Sequence, residues 1–216
     1  MTSAAPFTPP FENSCGTPFA PVPVTMSGGV IRLEPLGLEH AEGLLAAGHY
    51  ESLWRVTVQP PLTTPQAVTV YLRQAAESLA AGLEVPFAIM LRATGELVGA
   101  TRWMDISRPH RRCEIGATWV TPAHQRSAVN TEAKLLQMTH LFDVLGAHRV
   151  QYKTDVRNVQ SQRALDGIGA VREGVLRRHM VVRDGFVRDS VYYGITDEDW
   201  LRVRRILEDR LTSRGA

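Results

Sequence analysis

Apolar and polar positions alternate along this chain with two different periods. Residues 30–36, Val30-Ile31-Arg32-Leu33-Glu34-Pro35-Leu36, switch one by one, the two-residue period of a strand with one buried face. Over 38–48 the period lengthens, placing Leu38, Ala41, Leu44 and Leu45 on one helical face that ends at Gly48. Thr64-Pro65 starts a second helix, because the threonine hydroxyl accepts a free N–H and proline suits the first turn. Its apolar stripe, Val68, Leu72, Ala75, Ala76 and Leu79, runs to Gly82. Residues 86–91 and 97–103 flank the turn Ala93-Thr94-Gly95-Glu96 and predict a hairpin, with 112–121 as a third strand of the same meander. A long helix is expected over 131–145, with Leu135, Met138, Phe142 and Leu145 in one stripe and Gly146 as its left-handed stop. Residues 149–154 read as a strand and 159–167 as a short helix. Residues 171–182 and 186–195 read as two strands around Asp184-Gly185. Thr196 caps a last helix that turns Trp200, Val203 and Leu207 inward. Strand, two helices, three strands, helix, strand, helix, two strands and helix make an α/β chain with a mixed sheet in one layered domain.

Residues 1–28 lack this patterning. Pro6, Pro9, Pro10, Pro18, Pro21 and Pro23 precede Gly28-Gly29, and proline blocks helix and removes backbone donors. The expectation is a flexible tail over 1–28 followed by a single domain over 29–216. The tail lacks the basic start and apolar block of a secretory leader. No run of about 18 uncharged apolar residues crosses a membrane. The net charge of +2 comes from 24 cationic and 22 anionic residues, a balance that argues against nucleic acid as the partner. Only Lys134 and Lys153 are lysines, a bias that reads as a coding habit. Cys15 and Cys113 are too few for a disulfide framework or a cysteine-based metal site, which favours a reducing, cytoplasmic setting. His49, His124, His140, His148 and His179 show no metal-ligand spacing, so no metal is expected.

Chemistry concentrates where the third meander strand meets the long helix, in Thr121-Pro122-Ala123-His124-Gln125-Arg126-Ser127-Ala128-Val129-Asn130-Thr131-Glu132-Ala133. A helix start presents unpaired N–H groups and the positive end of the helix dipole, a natural place for an anion. Arg126 adds charge and Ser127 a hydroxyl. The stretch Gln125 to Lys134, with Glu114-Ile115-Gly116-Ala117-Thr118-Trp119-Val120, Arg149-Val150, Asn158-Val159-Gln160-Ser161, Gly169-Ala170, Glu173-Gly174 and Arg183-Asp184-Gly185, resembles the GNAT family of acetyl-CoA-dependent N-acetyltransferases. Within it, the chain is similar to the branch of ribosomal-protein N-terminal acetyltransferases.

The resemblance covers about residues 30–210 and implies a central, mostly antiparallel, splayed sheet flanked by helices. It implies transfer of an acetyl group from acetyl-CoA to a primary amine, on a protein N-terminus or a small molecule, by direct attack. It also implies a homodimer. The pyrophosphate loop of the family falls on Gln125, Arg126, Ser127, Ala128, Val129 and Asn130, followed by Thr131, with both usual glycines replaced, at Ala128 and Asn130. Glu114 falls on a general-base position, and Trp119 and Val120 on the strand whose backbone holds the pantetheine arm and the oxyanion. Asn158 falls where the family holds the pantetheine amides. The usual tyrosine acid is replaced by Leu165, and Ser161 is the remaining candidate to protonate the thiolate. For several of these residues a structural role competes: an Arg111 or Arg112 ion pair for Glu114, a helix cap for Asn158, a helix-start hydroxyl for Ser161. Arg177, Arg178, His179, Arg188 and Asp189 read as a solvated strand edge more readily than as acceptor recognition. The altered glycines and the absent tyrosine leave a second reading open, a non-catalytic acyl-CoA-binding or regulatory module of the same fold.

Overall fold

A computed structural model describes residues 18–55, 57–183 and 185–213. Its centre is an eight-stranded sheet in the order β1-β2-β3-β4-β5-β6-β8-β7. The strands are β1 (Met26–Ser27), β2 (Ile31–Pro35), β3 (Val85–Leu91), β4 (Leu97–Ser107), β5 (Arg112–Val120), β6 (Arg149–Asp155), β7 (Val171–Val181) and β8 (Val187–Thr196). Every neighbouring pair is antiparallel except β5 with β6. The helices are α1 (Ala41–Gly48), α2 (Pro65–Ala80), α3 (Val129–Thr139), α4 (Val159–Gly167) and α5 (Asp197–Thr212).

Strand alternation sorts the core onto two faces. Phe87 and Ile89 of β3 join α3 and α5 residues such as Val129, Met138, Val203 and Leu207. Ala88, between them, joins Leu44 of α1 and Val68 and Leu72 of α2. The helix starts follow their local signals. Thr64 Oγ1 accepts the Ala67 N–H at 3.1 Å with Pro65 in the first turn. Asn158 Oδ1 accepts the Ser161 N–H at 3.0 Å. The Asp199 carboxylate accepts the N–H and hydroxyl of Thr196 at 3.2 and 2.9 Å. Beyond α3 the chain winds one wider turn over His140–Val144, and Gly146 ends it at φ +63°.

Residues 18–28 depart from the expected flexible tail. Phe19 and Met26 are 3% and 7% exposed and belong to the main core. Ser27 and Met26 pair with Arg32 and Leu33. The physical reason is a carboxylate more than a hundred residues away. Glu132 of α3, itself buried, accepts the N–H groups of Gly29, Val30 and Ile31 at 2.7, 2.8 and 2.6 Å. Proline forbids helix here but leaves side chains free to pack. Residues 1–17, with Cys15, and Asp184 of the expected hairpin turn lie outside the described residues. Among the described residues no helix is long and apolar enough to cross a membrane.

Candidate active site

β5 is paired along its length on one side and only at its start on the other. Toward β4 its partners run from Arg112 to Val120. Toward β6 the parallel register covers Arg112, Cys113 and Glu114 against Arg149, Val150 and Gln151, and there it stops. Beyond Glu114 the two strands splay, so the main chain of residues 115–120 faces an open wedge. A bulge directs the divergence. Ala100 pairs with Trp119 and Arg102 with Gly116, so β5 carries one extra residue, and Ala117 sits at φ +48°. A left-handed alanine costs about 1 kcal/mol or more, a cost that clusters at working sites.

Two adjoining clefts fill the wedge. One, of about 210 Å³, is lined by Glu114, Met104, Trp54, Tyr152, Lys153 and Arg188 among others. The other, of about 280 Å³, is lined by Val120, Gln125, Arg126, Asn130 and Gln160. Thr118, Trp119, Lys134, Asn158, Ser161 and Leu165 line both and form the seam between them.

Glu114 is 2% exposed, and Lys153 Nζ lies 3.2 Å from its Oε2, an ion pair without hydrogen-bond alignment. The expected arginine partners are engaged elsewhere: Arg111 donates to the carbonyls of Leu145 and Gly146, and Arg112 pairs with Asp105. Burial pushes the Glu114 carboxyl above the ordinary carboxylate range, and Lys153 only partly offsets this. Gly116 clears the space beside it, since a Cβ there would lie 2.8 Å from Glu114 Oε1 and 2.8 Å from Met104 Sδ. The adjoining Cys113 thiol is pushed up by burial and then by the Glu114 charge, so it stays a thiol and is no nucleophile.

The loop before α3 corrects the reading of the altered glycines. Ala128 sits at φ −67° and Asn130 lies within the first turn of α3, so neither position needs a glycine. The left-handed residue is Arg126, at φ +60°. Gln125 Nε2 braces the loop by donating to the Val120 carbonyl at 3.1 Å. Ser127 turns inward: its hydroxyl donates to the His124 carbonyl at 2.6 Å and accepts the Val129 N–H at 3.2 Å. Asn130 Oδ1 is buried without a partner. Of the residues singled out from sequence, Glu114, Trp119, Val120, Gln125, Arg126, Asn130, Asn158 and Ser161 come together around the wedge. Ser127, Ala128, Val129 and Thr131 do not line it, because Val129 packs in the core and the other three are turned against the protein.

The Asn158 side chain caps α4 through the Ser161 N–H, while the Ser161 hydroxyl has no partner among the described residues. Trp54 and Trp119 pack at 5.4 Å on the wall, whereas Trp103 is pure core against Phe87. Arg188 corrects the expected solvated strand edge. It is 7% exposed, lines the smaller cleft and donates from Nε to Ser190 Oγ at 3.0 Å, while Arg177 and Arg178 are exposed. Sequence reasoning gave no site role to Lys134, Lys153, Tyr152 and Asp155 and set Arg188 aside as a strand edge, yet all five line the smaller cleft. The two lysines had announced themselves by being the only two in the chain. Among the described residues, no group of three or more His, Cys, Asp or Glu is placed to hold a metal.

The splayed strand, and the loop beside it that runs into a helix, both lie within a stretch that matches a known family model. Residues 31–171 match the acetyltransferase (GNAT) domain. The chain belongs to the GNAT acetyltransferase family. YoaA of Bacillus subtilis strain 168, an uncharacterised N-acetyltransferase, is 32% identical over 111 residues, 51% of this chain and 62% of that protein. The match thus spans less than two thirds of that relative's length. A GCN5-related N-acetyltransferase from Brucella melitensis superposes with a TM-score of 0.84 at 30% identity, over 90% of this chain and 89% of that one. RimJ of Mycobacterium smegmatis, solved with CoA-disulfide, superposes at 0.73 with 23% identity, over 92% and 98%, a likeness of fold alone. The fold is therefore the mixed α/β GNAT fold.

Proposed function

We propose that the protein is an acetyl-CoA-dependent N-acetyltransferase acting on a primary amine, with a catalytic domain that takes in residues 18–28 as well as the expected 29–216. The acceptor is a peptide N-terminus, as for the ribosomal-protein branch that the sequence resembles, or a small-molecule amine. A reducing, cytoplasmic setting and a homodimer belong to the same reading. The observation that carries it is the wedge itself. The open edge of β5 has a buried carboxylate at one end and Arg126 with the first turn of α3 at the other.

These residues suit an acyl-CoA. The unpaired edge after Glu114 offers N–H and C=O groups to the amides of an extended arm, as a sheet edge does to a peptide. Arg126 and the N–H groups in the first turn of α3 suit a diphosphate. The acetyl thioester supplies the electrophile and a thiol leaving group. Glu114, with its raised affinity for protons, takes the proton of the acceptor ammonium through a water, so that the free amine attacks. Main-chain N–H groups near Trp119 and Val120 stabilise the oxyanion, and the Ser161 hydroxyl hydrogen-bonds the leaving sulfur.

A continuous assay of thiol release from acetyl-CoA, run over primary amines and peptides with free N-termini, tests this reading. Acceleration by at least one acceptor class is expected. Tight acetyl-CoA binding with no acceleration by any amine would instead favour the non-catalytic module.

A further inference from the structure

Of 24 cationic residues only Lys134 and Lys153 are lysines, and both line the wedge. Lys153 has an anionic partner in Glu114. Lys134 has none. It is 8% exposed, it makes no ion pair among the described residues, and its Nζ lies 4.8 Å from the centre of the Tyr152 ring. A cation–π contact repays only part of the desolvation of a buried ammonium. Such a group is complete only beside an anion that the protein does not itself supply.

Position says which anion. Lys134 follows Asn130 by one turn of α3, so it stands about 6 Å deeper along the same face. Arg126, Gln125 and Asn130 line only the larger cleft, whereas Lys134 lines both. Among the six residues of the seam it is the only one that carries a charge. A diphosphate belongs with Arg126, and the seam belongs to the atoms that react. We propose that the Lys134 ammonium stands at the sulfur of the bound acetyl thioester and passes its proton to the departing thiolate.

This rests on the acetyltransferase reading above and adds a catalytic residue to it. The step balances. The acceptor nitrogen forms its bond to the carbonyl carbon, and the carbon–sulfur bond breaks with its electron pair going to sulfur. A Lys134 N–H proton passes to that sulfur, Glu114 holds the first proton taken from the acceptor ammonium, and the second proton, lost as the attacking nitrogen becomes an amide, leaves through the open cleft to solvent. Solvent restores the ammonium when product leaves. Ser161 is retained as an orienting hydrogen-bond donor, because a hydroxyl is a much weaker acid than a thiol. Leu165, also at the seam, has no proton to give.

Burial alone lowers the Lys134 ammonium to about 8. A thiol ordinarily titrates near about 8.5, so proton transfer between the two is close to balanced. The charged groups around the seam are the Glu114–Lys153 pair, Asp155 and Arg188 on the acceptor side and Arg126 on the other. The Tyr152 phenol, pushed up by burial, stays neutral.

The test uses the full chain with free coenzyme A and reads the ultraviolet absorbance of its thiolate against pH, with calorimetry to establish binding. In the wild type the bound thiol is expected to titrate about one unit or more below free coenzyme A, as an opposite charge at contact produces. Lys134→Met should return it to the free value or above. Lys134→Arg should keep it low but lose turnover, since a guanidinium keeps its proton. Coenzyme A bound to the wild type with an unshifted thiol overturns the proposal, as does an equal shift in Lys134→Met. Because the wild-type titration decides first, a variant that fails to fold leaves the proposal falsifiable. No calorimetric binding of coenzyme A to the wild type would remove the acetyltransferase reading itself, and this inference with it.

Discussion

Glu114→Gln keeps the size and planarity of the side chain and removes its capacity to hold the acceptor's proton. A positioned base typically contributes about 10²- to 10⁴-fold. At about 1.4 kcal/mol per tenfold, that is about 3–5 kcal/mol of transition-state stabilisation. The structure supports the upper part of this range, because the carboxyl is 2% exposed and shares its site with Lys153 rather than with bulk water. The signs of the pH effects follow from burial raising its proton affinity. In the wild type, kcat/KM should rise with pH through the Glu114 titration, displaced upward from the ordinary carboxylate range toward neutrality. In Glu114→Gln that limb should vanish. Stability runs the other way. A carboxyl whose affinity for protons is raised by folding contributes stability at low pH and loses it as pH rises through its folded value. Glu114→Gln should therefore match the wild type in acid and melt at the same or higher temperature in mild alkali. Lys153, 20% exposed, keeps access to water when its partner is neutral. The assay is thiol release from acetyl-CoA between about pH 5 and pH 9, paired with thermal denaturation at the ends of that range. An unchanged kcat/KM, or a lowered one with the rising limb intact, would refute Glu114 as the base.

Two further substitutions separate structure from chemistry. Glu132→Ala strands three backbone N–H groups beneath the sheet edge, and should cost about 3 kcal/mol or more. Thermal melting should then fall by about 6–12 °C, with faster proteolysis before Ile31; a melting point within about 1 °C of the wild type would dismiss the tether. Ser161→Ala should lower kcat and leave the melting temperature alone, because the cap of α4 uses its N–H and not its hydroxyl. A loss seen only in melting temperature would make Ser161 structural.

What was legible in the sequence was local. Thr64-Pro65, Asn158 and Thr196 start helices through bonds to residues three positions on, so spacing alone reveals them. Gly146 and Gly185 mark left-handed stops because glycine adopts positive φ without strain. What was hidden was made by distance. Phe19 and Met26 look like tail because the carboxylate that fastens the adjoining strand, Glu132, lies 101 to 103 residues away from the amides it holds. The β5 bulge rests on Ala117, a residue that carries no turn signal. The loop glycines looked lost because the left-handed turn had moved to Arg126, where arginine gives no hint of it. Composition did hold the strongest missed clue. Two lysines among 24 cations read as a coding habit, yet the fold gathers both into one wedge.

The proposed activity requires this wedge to receive an acyl-CoA along the open edge of β5. Isothermal titration of the full chain with acetyl-CoA tests it most directly. One site per chain with micromolar affinity is expected, weakened at least tenfold in Arg126→Ala, or about 1.4 kcal/mol. No heat at millimolar acetyl-CoA, or equal binding after the Arg126 substitution, would contradict it.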